Sequence, residues 1–187
     1  MVSEESGETG SGELLVVVDP IDGSTNCDRG IPYFSTSLAV LEGDQLIAGL
    51  VANHANGVRY YATAGGGAFR DGAPISPSGR SSIDGALVSF SGHPERHIGW
   101  GQIRALGAAS LEVCMVADGS LDLYTVAQRS SLSSWDYLAG VLIAREAGAS
   151  VYEYEGQNLI FSGREPRYPL VAASEELALA FLAHGRL

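Results

Sequence analysis

Two aspartates three positions apart, Asp19 and Asp22, are the residues whose type and spacing point most directly to chemistry. They stand in the run Asp-Pro-Ile-Asp-Gly-Ser-Thr-Asn, residues 19–26, directly behind the apolar segment 14–18. Pro20 fixes the backbone between the two carboxylates. Carboxylate oxygens suit Mg²⁺, and a glycine followed by hydroxyl residues can open a helix whose free N–H groups bind an oxyanion. The run therefore predicts Mg²⁺-dependent phosphoryl chemistry.

A surface turn is the alternative explanation of this run. Asp-Pro and Asp-Gly are common turn dipeptides, and either one alone predicts only a turn. Two acids, a proline, a glycine and two hydroxyl residues without interruption favour a site instead. An EF-hand calcium loop is not indicated, because it needs alternating ligands followed by a distant glutamate, and none follows here.

The elements that must hold these residues follow from the apolar pattern. Apolar runs between turn residues predict strands, and the first four predict an antiparallel meander. The predicted strands cover 14–18, 35–41, 46–52, 58–62, 86–90, 121–126, 150–154 and 170–173. Helical spacing predicts helices over 108–117, 135–147 and 175–184, the last with Ser174 as its N-cap. The sequence is therefore predicted to fold as an α+β protein.

Composition narrows the class of protein. The 187 residues suffice for one large domain or for two small, closely packed ones, and we expect the single domain. The net charge of −11 argues against nucleic-acid or membrane partners. The Gly-, Pro- and Ser-rich stretch 65–80 predicts a boundary within that single domain (1–187), between a strand-rich metal-binding half (1–80) and an α/β half (81–187). Two distant cysteines and no signal-peptide pattern predict reduced thiols in a cytoplasmic protein.

Three separated motifs resemble the inositol monophosphatase-like family of metal-dependent phosphatases. Residues 19–26 match the first family signature with serine in place of threonine at Ser24. The Trp-Asp signature and its following Glu-Ala-Gly are similar to 135–140 and 146–148, and the family's acidic pair is similar to Glu4-Glu5. The resemblance implies a layered α/β sandwich of the inositol monophosphatase/fructose-1,6-bisphosphatase type.

The resemblance also implies a metal site. Two or three Mg²⁺ ions, with Mn²⁺ as a possible substitute, would be held by Glu4, Asp19, the main-chain carbonyl of Ile21, Asp22 and Asp136. Glu4 and Ser24 would be the catalytic residues that position the attacking water. The backbone N–H groups of Gly23 and Ser24 would hold the phosphate. Taken alone, Glu4 would indicate only a solvated chain end.

The family pattern further implies a substrate pocket. Its wall would include Gly107, Ala108 and Ala109, and Asp136 would contact the substrate as well as metal. Asp136 alone would predict only a helix cap, which is compatible with both roles. Arg129 departs from the family, because inositol-selective members tend to carry an acid at this position. Its guanidinium predicts a contact with a second anionic group of the substrate, and an arginine in solvent is the alternative.

Members of the family usually begin with two long helices before the acidic pair, which stands here at residues 4 and 5. We therefore expect an N-terminally truncated member that lacks these helices and forms a homodimer, aggregates or needs a partner. In the family, the two N-terminal helices also supply an aspartate that pairs with the hydroxyl group of the first signature. Ser24 would therefore lack this partner.

The expected function is Mg²⁺-dependent hydrolysis of a small phosphorylated metabolite, a phosphate monoester such as inositol phosphate or a related sugar phosphate. Fructose-1,6-bisphosphate, histidinol phosphate and a nucleotide are alternative substrates. A catalytically dead metal-binding or interaction domain is the alternative from a different class.

Overall fold

The computed structural model covers residues 1–187 and arranges them in alternating layers of sheet and helix. The strands are β1 (Val2–Ser3), β2 (Gly7–Glu8), β3 (Leu14–Asp22), β4 (Ser35–Glu42), β5 (Gln45–Asn53), β6 (Arg59–Thr63), β7 (Ala68–Arg70), β8 (Ala73–Pro74), β9 (Leu87–Ser91), β10 (Gln102–Arg104), β11 (Leu123–Val126), β12 (Ser150–Glu153) and β13 (Pro169–Ala172). The helices are α1 (Ser24–Asp28), α2 (Ala109–Ala117), α3 (Ser134–Ala147) and α4 (Glu175–Leu182).

The first sheet has eight strands in the order β2-β1-β3-β4-β5-β6-β7-β8. Strands β3 to β6 pair in antiparallel fashion with their sequence neighbours, which confirms the predicted meander. Strict alternation buries Ser35, Ser37, Ala39 and Leu41 of β4 on one face, as expected for a sheet that packs on one side.

The inner face of the first sheet packs on α2 and α3, which lie between it and the second sheet. The second sheet has the order β10-β9-β11-β13-β12, and β9 and β11 are parallel. Tyr124 and Val126 of β11 belong to the core formed with these two helices, whereas Leu123 packs with Leu177 and Phe181 of α4 on the other side. The layers are therefore sheet, helix pair, sheet and helix. No helix of the chain has the length and apolar character needed to cross a membrane.

The outer face of the first sheet carries a row of apolar side chains in direct register. Val18 pairs with Leu38, Leu38 with Leu50, Leu50 with Tyr61, and Tyr61 with Phe69. The rings of Tyr61 and Phe69 stack with centroids 5.5 Å apart, and Tyr61 is 39% exposed. All five side chains are at least partly exposed, so this face presents apolar surface to solvent.

Several predicted boundaries were wrong. The strand predicted to end at Val18 continues to Asp22, so both aspartates belong to β3. The Gly-rich stretch predicted to form a boundary contains the strands β7 and β8, and the strands β1, β2 and β10 were not predicted at all. The N-cap prediction is confirmed, because the Ser174 hydroxyl accepts a hydrogen bond of 3.2 Å from the Leu177 N–H. Both cysteines are free.

Candidate active site

Asp19 and Asp22 both lie on the inner side of β3, although residues three apart in a regular strand point to opposite faces. Asp19 pairs with Ser37 and Asp22 with Ser35, so three steps along β3 match two along β4. This is a β-bulge, and Pro20, which has no N–H to donate to the ladder, lies within it. The bulge turns both carboxylates inward, where Asp19 is 2% exposed and Asp22 is 7% exposed.

The carboxylate of Asp22 is fixed by the start of α2. It accepts hydrogen bonds from the backbone N–H groups of Ala109 at 3.2 Å and Ser110 at 2.8 Å, and from the Ser110 hydroxyl at 2.5 Å. The Ser110 hydroxyl also lies 2.9 Å from that of Ser35. Burial raises the pKa of Asp22 to about 6, although the hydrogen bonds from Ser110 and Ala109 lower it. The start of α2 therefore orients this carboxylate.

The start of α3 brings Asp136 to the same place. Its carboxylate accepts a hydrogen bond of 2.7 Å from the Ser133 N–H, and the Ser37 hydroxyl donates to the Trp135 carbonyl at 3.0 Å. The side chain thus satisfies an unpaired donor at the helix start while it faces the cluster. Burial, together with the charges of Asp22 and Glu4, raises the pKa of Asp136 to about 7. The predicted cap is observed, and Asp136 lies near enough to Asp22 and Glu4 for their charges to act on it.

Glu4 reaches the cluster because of the short strand β1. Ser3 pairs in parallel with Val18, which places Glu4 beside Asp19. Burial and the charges of Asp22, Glu4 and Asp136 together raise the pKa of Asp19 to about 8, although the hydrogen bond from the Ile21 N–H, 3.0 Å from Oδ1, lowers it. The structure therefore gathers the four predicted carboxylates into one electrostatically connected group.

The chemistry of this group fits a hard divalent cation. All four side chains offer carboxylate oxygens, the ligands that Mg²⁺ prefers. No arginine forms an ion pair with any of them, so their mutual repulsion is not balanced by the chain itself. No three of these side chains form a preformed metal-binding arrangement. A bound cation would offset the burial and the mutual repulsion that raise the pKa of Asp19, Asp22 and Asp136.

The predicted phosphate-binding residues lie beside the cluster. Gly23 is the N-cap of α1 with φ of 84°, and a Cβ there would lie 3.0 Å from the Gly107 carbonyl oxygen. Glycine is therefore required at this turn, for its backbone angle and for the approach of the two loops. Ser24 is the first residue of α1 and is exposed, and its hydroxyl forms no hydrogen bond within the chain.

A cavity of about 240 Å³ opens next to these residues. Four predicted site residues line it, namely Asp22, Gly107, Ala109 and Asp136, together with Ser91, Gly92 and Leu132, which the sequence did not indicate. Ala108 is fully buried behind this wall and belongs to the core.

Arg129 lies away from this cavity. Its side chain is 92% exposed, and its Nη2 atom is 3.3 Å from Oε1 of Glu95. The structure therefore does not bring the guanidinium to the carboxylate cluster, and its contact with a second anionic group stays a prediction.

The sequence did not predict a role for three residues that support the site. Ser110 holds Asp22, and the Asn26 amide donates to the carbonyl of Leu106 at 2.7 Å. Glu112 accepts hydrogen bonds from the loop that leads into α2. Asn26 belongs to the first signature, and Ser110 directly follows the predicted pocket wall. Their places in the sequence could therefore have indicated a role in the site. Their partners lie about 80 residues away, and no local pattern reveals such pairs.

Comparison with known proteins places the chain in a family. The sequence profile of the Inositol monophosphatase family matches residues 1–184. A fructose-1,6-bisphosphatase/inositol-1-monophosphatase from Archaeoglobus fulgidus is 38% identical over 184 residues, covering 95% of this chain and 71% of that protein. An inositol-1-monophosphatase from Mesorhizobium japonicum is 33% identical over 184 residues, covering 89% of this chain and 65% of that protein.

Solved structures agree with the sequence relatives. A hypothetical protein from Pyrococcus horikoshii, described as similar to inositol-1 monophosphatase, superposes with a TM-score of 0.86 at 32% identity, over 100% of this chain and 76% of that one. A second gene product, described as an inositol monophosphatase-fructose 1,6 bisphosphatase, superposes with a TM-score of 0.86 at 28% identity, over 97% of this chain and 75% of that one.

The fold and the site define a layered α+β protein with a carboxylate cluster where a bulged strand meets two helix starts. This chain belongs to the inositol monophosphatase family. The predicted family and fold are thereby confirmed. Its named relatives are phosphoric monoester hydrolases, which is the predicted enzyme class. The chain spans 71% and 65% of the length of the two curated relatives described above.

Proposed function

We propose that this protein hydrolyses a small phosphate monoester in a Mg²⁺-dependent reaction. The observation that carries the proposal is the convergence of four carboxylates, the buried Asp19 and Asp22, the partly buried Asp136 and the exposed Glu4, on one cluster without an arginine counter-charge. These carboxylates, with the Ile21 carbonyl, would hold two or three Mg²⁺ ions. Bound Mg²⁺ would supply charge neutralisation at the phosphate and an activated water.

The chain's own groups have separate tasks in this proposal. The N–H groups of Gly23 and Ser24 hold the phosphate at the start of α1. Glu4 and the Ser24 hydroxyl orient the attacking water, and the wall at Gly107 and Ala109 contacts the alcohol part of the substrate. No covalent intermediate is required, because water is the nucleophile.

The direct test is phosphate release from a panel of monoesters with Mg²⁺ and with a chelator. Asp19→Asn should abolish the Mg²⁺-dependent rate, because the cluster loses a central carboxylate. Asp44→Asn is the matched control, since Asp44 is an exposed turn residue, and it should keep the wild-type rate. A wild-type rate in Asp19→Asn at saturating Mg²⁺ would refute the metal assignment.

For the substrate, we propose inositol phosphate or a related sugar phosphate. Relatives whose names include inositol-1-monophosphatase and fructose-1,6-bisphosphatase support both a monophosphate and a bisphosphate of a polyol. Histidinol phosphate and nucleotides belong in the same panel as alternatives. Efficiencies that differ by more than about tenfold between these compounds, or about 1.4 kcal/mol, would assign the substrate class.

We further propose that residues 1–187 act as one domain, because α2 and α3 from the second half pack on the first sheet. The apolar outer face of this sheet supports the expected homodimer. The free cysteines are compatible with a cytoplasmic protein.

Ser24 favours a second candidate, a metal-binding domain without catalytic activity. Its hydroxyl has no partner within the chain to hold it in position for water activation. Calorimetric binding of Mg²⁺ or Mn²⁺ without phosphate release from any compound of the panel would favour this candidate. Phosphate release that Ser24→Ala strongly reduces would exclude it.

A further inference from the structure

We propose that Glu112 is a positioning residue that holds the wall of the substrate cavity and, through it, the carboxylate of Asp22. The proposal deepens the proposed function, on which its kinetic test rests. Glu112 is the fourth residue of α2, and its side chain is fully buried at 0% exposure. A buried carboxylate is costly unless it is fully hydrogen-bonded.

The partners of this carboxylate are three consecutive backbone N–H groups. Oε1 accepts from Leu106 at 3.1 Å, and Oε2 accepts from Gly107 at 3.2 Å and Ala108 at 3.3 Å. Gly107 has φ of 83°, a left-handed angle that lets successive N–H groups point to one side. The Ser89 hydroxyl of β9 donates to Oε1 as well. The loop thus forms an anion-binding concavity, and the chain fills it with its own carboxylate.

The opposite side of this loop is held by α1. The Asn26 amide donates to the Leu106 carbonyl at 2.7 Å and to the Tyr33 carbonyl at 2.8 Å. The loop therefore cannot shift toward or away from the cavity without breaking a bond on one of its two sides.

The next two N–H groups along the chain bind the cluster. Glu112 holds the N–H groups of residues 106–108, and those of Ala109 and Ser110 hold Asp22. Five consecutive N–H groups are therefore divided between two carboxylates. Gly107 and Ala109 also line the cavity. A loop released from Glu112 would move both the wall and the donors that orient Asp22.

Glu112→Gln tests this arrangement with almost no change in volume. Either orientation of the amide places an NH₂ group against at least one backbone N–H, so one donor loses its acceptor. We expect amide hydrogen exchange in residues 105–110 to accelerate about tenfold or more, while exchange in α4 stays at the wild-type rate. We also expect KM for the phosphate monoester, and the Mg²⁺ concentration for half-maximal rate, to rise about 10- to 100-fold.

Glu146→Gln is the matched control. Glu146 is also a helical carboxylate that accepts two backbone N–H groups of a glycine loop, from Gly65 and Gly67 at 2.9 Å each. It follows Asp136 by ten residues on α3, about 15 Å along the helix axis. The Glu146→Gln substitution should lower the melting temperature without changing KM or the Mg²⁺ requirement.

Ser89→Ala provides a milder variant in case Glu112→Gln does not fold. It removes the hydroxyl donor and leaves the three N–H groups in place, so we expect the same changes at about threefold. Local exchange and KM that stay at wild-type values in folded Glu112→Gln, or in Ser89→Ala if only that variant folds, would overturn the proposal. If the wild type releases no phosphate, the proposed function fails, and the exchange measurement alone decides whether Glu112 holds the wall.

Discussion

Asp22 and Ser110 are joined by two hydrogen bonds, from the Ser110 N–H at 2.8 Å and from its hydroxyl at 2.5 Å. The residues are 88 positions apart, and their contact connects the bulged strand β3 to the start of α2. Hydrogen bonds that orient a metal-binding carboxylate commonly determine how tightly the metal is held. This contact therefore makes the start of α2 part of the proposed metal site.

We predict that Ser110→Ala weakens Mg²⁺ binding by about 10- to 100-fold, because the hydroxyl bond to Asp22 is lost while the backbone bonds remain. Isothermal titration with Mg²⁺ measures the change. Ser174→Ala is the control, since it removes the N-cap of α4 and should cost about 1 kcal/mol of stability without affecting Mg²⁺. Equal Mg²⁺ affinities in the wild type and Ser110→Ala would show that the hydroxyl has no part in metal binding.

The raised carboxyl pKa values predict how the metal-free protein responds to pH. Burial and the neighbouring carboxylates raise the pKa of Asp19 from its ordinary value of 3.8 to about 8, so between these values the folded state binds more protons than the unfolded state. Stability must then fall as pH rises through this window. With a chelator present, we expect a lower melting temperature at pH 8 than at pH 5.5.

Two variations isolate the source of this pH effect. Asp19→Asn should flatten the dependence, because an amide does not titrate, and saturating Mg²⁺ should reverse it, because the cation favours the ionised carboxylates. A melting temperature that rises from pH 5.5 to pH 8 in the chelated wild type would contradict the raised pKa of Asp19.

The apolar row on the outer face of the first sheet predicts association. Leu38, Leu50 and Tyr61 lie side by side on neighbouring strands and are partly exposed. Apolar patches of this kind are uncommon on monomers. We expect light-scattering chromatography to give a mass above that of one chain, 19.5 kDa.

Leu50→Asp should lower the mass measured by light scattering toward that of one chain, because the substitution places a charge in the middle of the apolar row. Leu179→Asp is the control, since Leu179 is an isolated exposed side chain on α4 at 51% exposure. A monomeric wild type that binds no dye for apolar surface would count against the association.

The long strands and helices were predictable because the apolar residues of each repeat at a regular spacing. The alternation of β4 and the helical spacing of α3 repeat often enough for their bounds to be predicted within one residue. The two-residue strand β1 is too short for any period, and it forms because β3 offers a pairing edge. Its absence from the prediction left Glu4 assigned by resemblance alone.

The candidate site, like the fold, has residues that the sequence indicates and residues that it does not. Asp19, Asp22 and Asp136 could be predicted as site residues because each belongs to a compact motif. Ser110 and Glu112 were not, since their partners come from another part of the chain or from a loop whose path is irregular. The inward turn of both β3 aspartates depends on a bulge, and the register between strands is not written in one strand's sequence.

The last prediction concerns Arg129 and its ion pair with Glu95. If the guanidinium reaches the cavity when substrate binds, a charge-assisted contact to a second anionic group contributes on the order of 1.5–3 kcal/mol, about ten- to a hundredfold in kcat/KM. Arg129→Ala should then reduce kcat/KM for a bisphosphate more than for inositol 1-phosphate. Glu95→Gln should have the opposite effect, because it frees the guanidinium from its present partner at 3.3 Å. An equal change for both substrates in Arg129→Ala would exclude the contact, because a side chain that stays in solvent does not discriminate between them.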